Sequence, residues 1–177
     1  MAELATSTLI PLDQADPAEL DRILDRVFGS GRRGRTAYRI RAGTDWLPAL
    51  SYAALDDAGT LVATIQAWPV ALTDAHGRAH PLIMVGPVAV DPERQDQGFG
   101  RALMAAQSAA LDPAAPLAQV LIGDEPYYGR FGFVEAPRGW RCPGPWEPER
   151  LLVRQIELAA LPRDGMLGPW PGQGRYA

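Results

Sequence analysis

Residues 85–104 read VGPVAVDPERQDQGFGRALM, and this stretch decides the fold. Val85–Val90 is an apolar run of strand type, and Asp91-Pro92 is a turn signal. A polar loop with two glycines follows, and an alanine-rich helix is expected over Gly98–Leu111. The loop carries Gln95-Asp96-Gln97-Gly98-Phe99-Gly100, a Q-x-x-G-x-G pattern. Strand, glycine loop and helix in this order make a cradle for a phosphate. Glycine lets the backbone approach an anion closely and adopt conformations that a side chain forbids. The helix adds unpaired N–H groups and the positive end of its dipole. Arg94 and Arg101 flank the loop and supply charge-assisted donors.

The loop lacks the Lys-Ser/Thr ending of a P-loop and the G-x-G-x-x-G spacing of a dinucleotide fold, and its strand lies mid-chain. A second stretch narrows the choice: Gly123 to Phe133 reads GDEPYYGRFGF. The first pattern resembles the acetyl-CoA pyrophosphate loop, [Q/R]-x-x-G-x-[G/A], of the GNAT superfamily of N-acetyltransferases. The second resembles the P-Y-Y-x-R-F-G-F closing motif of a bacterial branch of that superfamily. The motifs stand in the family's order, with a helix and a strand between them. The resemblance covers about Thr8 to Leu158, its outer parts in pattern only.

Composition is compatible with this. A chain of 177 residues is expected to form a single domain over 1–177, with an irregular tail over 159–177. A core of that size needs no disulfide or metal staple. The one cysteine, Cys142, suits a reducing cytoplasm. The N-terminal MAELATSTLIPLDQ has no basic region or long apolar run, and no membrane span is expected. Net charge is −4, which argues against broad nucleic-acid binding. All 17 basic residues are arginine, so lysine-dependent chemistry is excluded. Two histidines and one cysteine at these separations give no metal-ligand spacing.

Periodicity yields an α/β or α+β pattern, an antiparallel meander followed by a β-α-β unit, and the resemblance implies a mixed sheet. Thr8–Leu12 reads as a strand, and Pro17–Phe28 as a helix capped by Asp16, with Leu20, Ile23, Leu24 and Val27 on one face. Leu50–Leu55 and Leu61–Ala71 flank the turn Asp56–Gly59. Pro81–Val90, Leu117–Ile122 and Leu151–Leu158 are further strands, and the segment from Pro162 on reads as irregular. The resemblance implies a central, mostly antiparallel sheet in which strands four and five splay apart to admit the pantetheine arm of CoA.

The resemblance also implies site roles. Backbone groups of Val88, Ala89 and Val90 would bond the pantetheine amides, and one N–H would polarise the thioester carbonyl. Arg94, Gln95, Asp96, Gln97, Gly98, Phe99, Gly100 and Arg101 would hold the pyrophosphate. Tyr128, five residues before Phe133, matches the position of the family's proton donor to the leaving thiolate, and Tyr127 would contact the cofactor. For both tyrosines a packing role remains open. The acceptor is expected near two irregular segments, Gly29–Trp46 and Ala136–Pro148. Trp140, Arg141 and Trp146 are candidate contacts there, suited to a substrate with an apolar part and an anionic group. The alternative is that these tryptophans cover the core and the arginines face water.

The implied function is transfer of an acetyl group from acetyl-CoA to a primary amine of a small molecule or peptide. Expected partners are the CoA thioester and the amine, without metal, nucleic acid or membrane, in a monomer or homodimer. An acyl-CoA sensor or regulatory module, another acyl group and an oxygen acceptor remain alternatives.

Overall fold

The computed structural model describes residues 7–114, 116–154 and 160–172. Its elements in chain order are β1 (Thr8–Pro11), α1 (Pro17–Phe28), α2 (Thr36–Ile40), β2 (Tyr52–Leu55), β3 (Leu61–Thr73), β4 (Ala79–Val90), α3 (Phe99–Ala110), β5 (Gln119–Ile122), α4 (Glu125–Tyr128), β6 (Val134–Glu135), β7 (Gly139–Arg141), β8 (Leu151–Arg154) and β9 (Asp164–Pro169). Contact density divides the chain into two compact units. The first holds 1–33, 46–67 and 86–111; the second holds 34–45, 68–85 and 112–177.

In the first unit, β2 pairs antiparallel with β1 and with the start of β3. Helix α1 follows its sequence signals closely. The Asp16 carboxylate accepts the Ala18 N–H at 2.9 Å, Pro17 opens the first turn, and Gly29 at φ +86° ends the helix. Leu20, Ile23 and Leu24 face inward and pack with Leu12, Ala53, Leu61 and Ala89. Helix α3 buries Phe99, Leu103 and Met104. Its Gln107 side chain donates to the Leu50 carbonyl at 2.9 Å.

In the second unit the 74–77 turn joins the end of β3 to the start of β4. Strand β5 runs parallel to β4 and antiparallel to β8, and β8 pairs with β6. On the other side, β9 pairs antiparallel with β3 at Val70–Thr73 and parallel with β7. The core of this unit joins Val70, Leu72, Leu82, Val120, Val153 and Leu167.

Two expectations change here. The segment after Pro162 contains a strand, β9, where the sequence suggests irregular chain. Its glycines mark close approach of neighbours. A Cβ at Gly165 would lie 2.8 Å from the Leu72 side chain and from the Thr73 carbonyl oxygen, and one at Gly139 would overlap the Asp164 carboxylate. The segment Ala136–Pro148 likewise supplies a strand and core groups. Trp140 is 1 % exposed, its indole N–H donating to the Pro162 carbonyl at 2.9 Å. Cys142 is buried beside it in the same cluster, and burial pushes its thiol up to about 12. The expected strand Leu151–Leu158 is present as β8 over its first four residues, and 155–158 lie outside the described residues.

The β3–β4 turn is organised by one carboxylate. Asp74 accepts the backbone N–H groups of His76 and Arg78, and its other oxygen meets His80 Nε2 at 2.9 Å. The bond from His80, followed by that from Arg78, holds the Asp74 carboxyl down at about 2. An unfolded aspartate titrates near 3.9. The folded state therefore gains from ionised Asp74 above about pH 4 and loses that gain as pH falls through about 2.

Two outcomes are expected from this architecture. Trp140→Ala should lower unfolding stability by about 3–5 kcal/mol in urea titration; a loss below about 1 kcal/mol would show that Trp140 is not a core group. Asp74→Asn should be less stable than the parent at neutral pH, with the difference shrinking between about pH 4 and pH 2. A difference that stays constant down to pH 2 would remove Asp74 as the acid-sensitive group.

Candidate active site

The loop from Asp91 to Gly98 lies in the first unit, between β4 and α3. It is anchored at its start. The Asp91 N–H donates to the Val62 carbonyl at 2.8 Å, and the Asp91 carboxylate accepts the Glu93 N–H at 2.9 Å and pairs with Arg26 at 2.9 Å. Asp96 at φ +63° and Gly98 at φ +86° both adopt the left-handed conformation. Gly98 is the N-cap of α3, and no side chain there bonds the first-turn N–H groups. A helix start without a side-chain cap has the chemistry that suits an anion. Gln95, Asp96, Gln97 and Gly98 are exposed. Helix dipole, N–H groups and an exposed, left-handed loop coincide at this one point.

The flanking arginines differ from each other. Arg101 is exposed on the first turn of α3. Arg94 is engaged by the β2–β3 turn, its guanidinium meeting the Asp56 carboxylate at 2.7 Å. Asp56 also accepts the Ala58 and Thr60 N–H groups, so Arg94 is tied to a preformed turn. Phe99 contributes its backbone to the helix start while its ring is buried in the core. Upstream, Ala89 points inward at 0 % exposure, and Val88 and Val90 are half-buried. The ladder between β4 and β5 consists of Ile83–Gln119 and Met84–Val120, and β4 continues to Val90 beyond it.

The closing motif lies in the second unit, where β5 ends and α4 begins. Tyr128 is half-buried, in edge contact with Tyr127 at 4.9 Å and with Phe133 at 6.2 Å between ring centroids. Burial pushes its phenol up to about 12; Tyr127 and Asp124 add to the shift, and Arg150 opposes it. Tyr127 also meets Phe131 edge-on at 5.7 Å, and the Arg130 guanidinium sits 4.9 Å over its ring. Arg154 braces the motif from β8. It donates to the Phe131 carbonyl at 2.8 Å and to the Gln119 side chain, and lies 4.9 Å over the Phe133 ring. An open cavity of about 580 Å³ beside α4 is lined by Asp124, Glu125, Glu135 and Glu149, with Arg150 and the exposed Val134.

Within the second unit, residues 34–45 of the first expected acceptor segment meet the second segment. The Thr36 hydroxyl donates to the Pro145 carbonyl at 2.5 Å, and Arg39 reaches the Pro143 carbonyl at 3.5 Å. Several groups of these two segments are engaged internally. Trp140 is core, Trp146 packs against that core, and Arg41 is buried between the Tyr38 ring at 4.0 Å and the Trp68 ring at 3.9 Å. In the first unit Arg32, 3 % exposed, bridges Asp21 at 2.6 Å and Asp25 at 2.8 Å on α1. Of the candidate contacts, Trp140 is thus committed to the core and Trp146 packs against it, while Arg141, like Arg33, Arg35 and Arg39 of the first segment, is exposed. The ion pair of Asp56 with Arg94 and the bonds of Arg154 to Phe131 and Gln119 are not expected from sequence, because the partners lie in distant segments.

Among the described residues no group of three or more histidine, cysteine or acidic side chains is placed to hold a metal ion, and no helix is long and apolar enough to cross a membrane.

Comparison with known proteins agrees with this geometry. The family model for the acetyltransferase (GNAT) domain matches residues 9–136. The uncharacterized N-acetyltransferase YhbS of Escherichia coli K12 is 29 % identical over 153 residues, covering 86 % of this chain and 87 % of the relative. The crystal structure of the Escherichia coli GNAT family N-acetyltransferase YhbS in complex with CoA superposes with a TM-score of 0.70 at 26 % identity, covering 94 % of this chain and 89 % of that one. A GNAT family acetyltransferase from Brucella melitensis, in complex with acetyl-CoA, gives a TM-score of 0.57 at 25 % identity, over 86 % of this chain and 97 % of that one. A mixed sheet with a parallel β4–β5 pair, an uncapped α3 opening on the Q-x-x-G-x-G loop, and a family match over most of the sequence lead to one conclusion: the chain belongs to the GNAT superfamily of N-acetyltransferases.

Proposed function

We propose that the protein transfers the acetyl group of acetyl-CoA to a primary amine of a small molecule or peptide, by direct attack of the amine on the thioester. The observation that carries the CoA half is the start of α3, where Gly98 in the left-handed conformation leaves the first-turn N–H groups without a side-chain cap. A pyrophosphate satisfies those donors, and exposed Arg101 adds charge. The related structures with CoA and acetyl-CoA support this choice of ligand. Arg94 serves chiefly to fix the loop through Asp56.

The backbone of Val88–Val90, which continues past the β4–β5 ladder, offers N–H and C=O groups to the pantetheine amides, as an added strand would. One N–H in this stretch supports the carbonyl oxygen as it gains charge. The neutral amine attacks the thioester carbon, a tetrahedral intermediate forms, and collapse breaks the C–S bond. The proton lost by the nitrogen passes to water.

Tyr128 is assigned to the departing sulfur. A phenol held at about 12 is fully protonated at neutral pH. A thiol titrates roughly 3–4 pK units lower. Complete transfer ahead of bond breaking is therefore uphill, and the hydroxyl acts by donating a hydrogen bond that strengthens as thiolate character develops. For the acceptor, the acid-lined cavity beside α4 favours attraction of a protonated amine, which gives a proton to water before it attacks as the neutral base, over the anionic substrate suggested by the arginine-rich segments.

Two measurements test this reading. Gly98→Glu should abolish calorimetric acetyl-CoA binding, while Gly98→Asn, which tolerates the left-handed backbone, should keep most of it. Unchanged binding by a folded Gly98→Glu protein would place the cofactor elsewhere. Tyr128→Phe should retain acetyl-CoA affinity and lower kcat by about 10²-fold in thiol-release assays; equal turnover with chemistry rate-limiting would leave Tyr128 a packing residue.

A further inference from the structure

At the end of β5, the chain passes Gly123 before entering α4. Gly123 is buried, and its N–H donates to the Arg150 carbonyl at 2.9 Å, so its backbone is pinned by the strand-end pairing with β8. Its φ lies outside the left-handed region, so the conformation itself admits any residue. What excludes a side chain is the Tyr128 ring. A Cβ built at Gly123 would stand 2.5 Å from Tyr128 Cε2 and 2.8 Å from Cδ2, with Leu121 Cδ1 at 3.2 Å. Non-bonded carbons rest at about 3.5–4.0 Å, so a methyl here requires the ring to move by about 1 Å or more. Retreat is hindered. The Tyr128 backbone is held through its N–H to the Asp124 carbonyl at 3.0 Å, and its ring already meets Tyr127 and Phe133 edge-on.

We propose that Gly123 is a positioning residue for acetyl transfer: its missing side chain lets the Tyr128 ring seat against the end of β5, and this seating fixes where the phenol hydroxyl points. The inference rests on the assignment of Tyr128 to the leaving sulfur. A hydroxyl displaced by about 1 Å from a productive hydrogen bond can cost about 10²-fold in rate. Gly123 touches neither CoA nor acceptor in this scheme and acts only through Tyr128.

The test is a double-mutant cycle in the full chain, with acetyl-CoA hydrolysis read by thiol release as the kinetic probe. Gly123→Ala should lower kcat at least about tenfold and leave the acetyl-CoA KM within about twofold. In the Tyr128→Phe background it should cause no further loss. Equal fold-losses in both backgrounds, or no loss in either, would overturn the proposal. Thermal melting provides a readout independent of turnover. The drop in Tm caused by Gly123→Ala should largely vanish when Tyr128 is replaced by leucine, since the obstructing ring is gone; an equal drop in both backgrounds would also overturn it. Failure of the Tyr128 assignment has a separate signature: Tyr128→Phe alone leaves thiol release unchanged while the Tm coupling to Gly123 persists.

Discussion

A helix begins with backbone N–H groups that its own hydrogen bonding cannot satisfy, and much of this protein's chemistry follows from how α3 handles them. Helix α1 solves the same problem locally, with the Asp16 carboxylate folded back on Ala18. Helix α3 starts on a glycine that has no such group to offer. The surrounding loop is held by other means: Asp91 on the Val62 carbonyl and on Arg26, and Arg94 on Asp56. Anchoring the loop from outside leaves the donors of its inner face uncommitted. One chain therefore contains both a helix start capped by its own side chain and one without such a cap, and the difference between them is a single side chain at the cap.

The charged and aromatic residues show the complementary pattern. A sequence rich in arginine and tryptophan suggests ligand contacts, yet several of these groups have structural roles here. Arg32 bridges two carboxylates of α1, Arg41 lies between two rings, Arg154 clamps the closing motif, and Trp140 fills the core. Arginine suits this because its planar, weakly hydrated fork can stack and donate several bonds while buried. With no lysine in the sequence, every cationic side chain other than histidine is arginine, buried or exposed alike, which makes its role hard to read from position alone.

What the sequence made legible was local. Asp16, Pro17 and the 20–23–24 apolar spacing announce α1, and Gln95–Gly100 announces the loop, because cap, period and glycine pattern all fall within a dozen residues. What it hid was non-local. Strand β9 exists because the edge of β3 at Val70–Thr73 is available to it, nearly a hundred residues away in the chain. Its glycines look like punctuation until Leu72 is seen against Gly165. The partner of Arg94, Asp56, lies 38 residues upstream, and nothing local in the sequence points to that ion pair. In the closing motif both Gly123 and Tyr128 stand in the quoted stretch, but the packing of the ring against the glycine shows only in three dimensions.

The burial of Cys142 has a practical side. It is the chain's one sulfhydryl, it lies inside the core of the second unit, and its surroundings keep it in the unreactive protonated form. A thiol so enclosed and protonated is expected to react slowly with maleimides and disulfide reagents in the folded state. A cysteine introduced at a chosen surface position would therefore be the sole point of attachment for a fluorophore or spin label. Probes of this kind can be placed on the unmodified background, with no need to remove the native sulfur first.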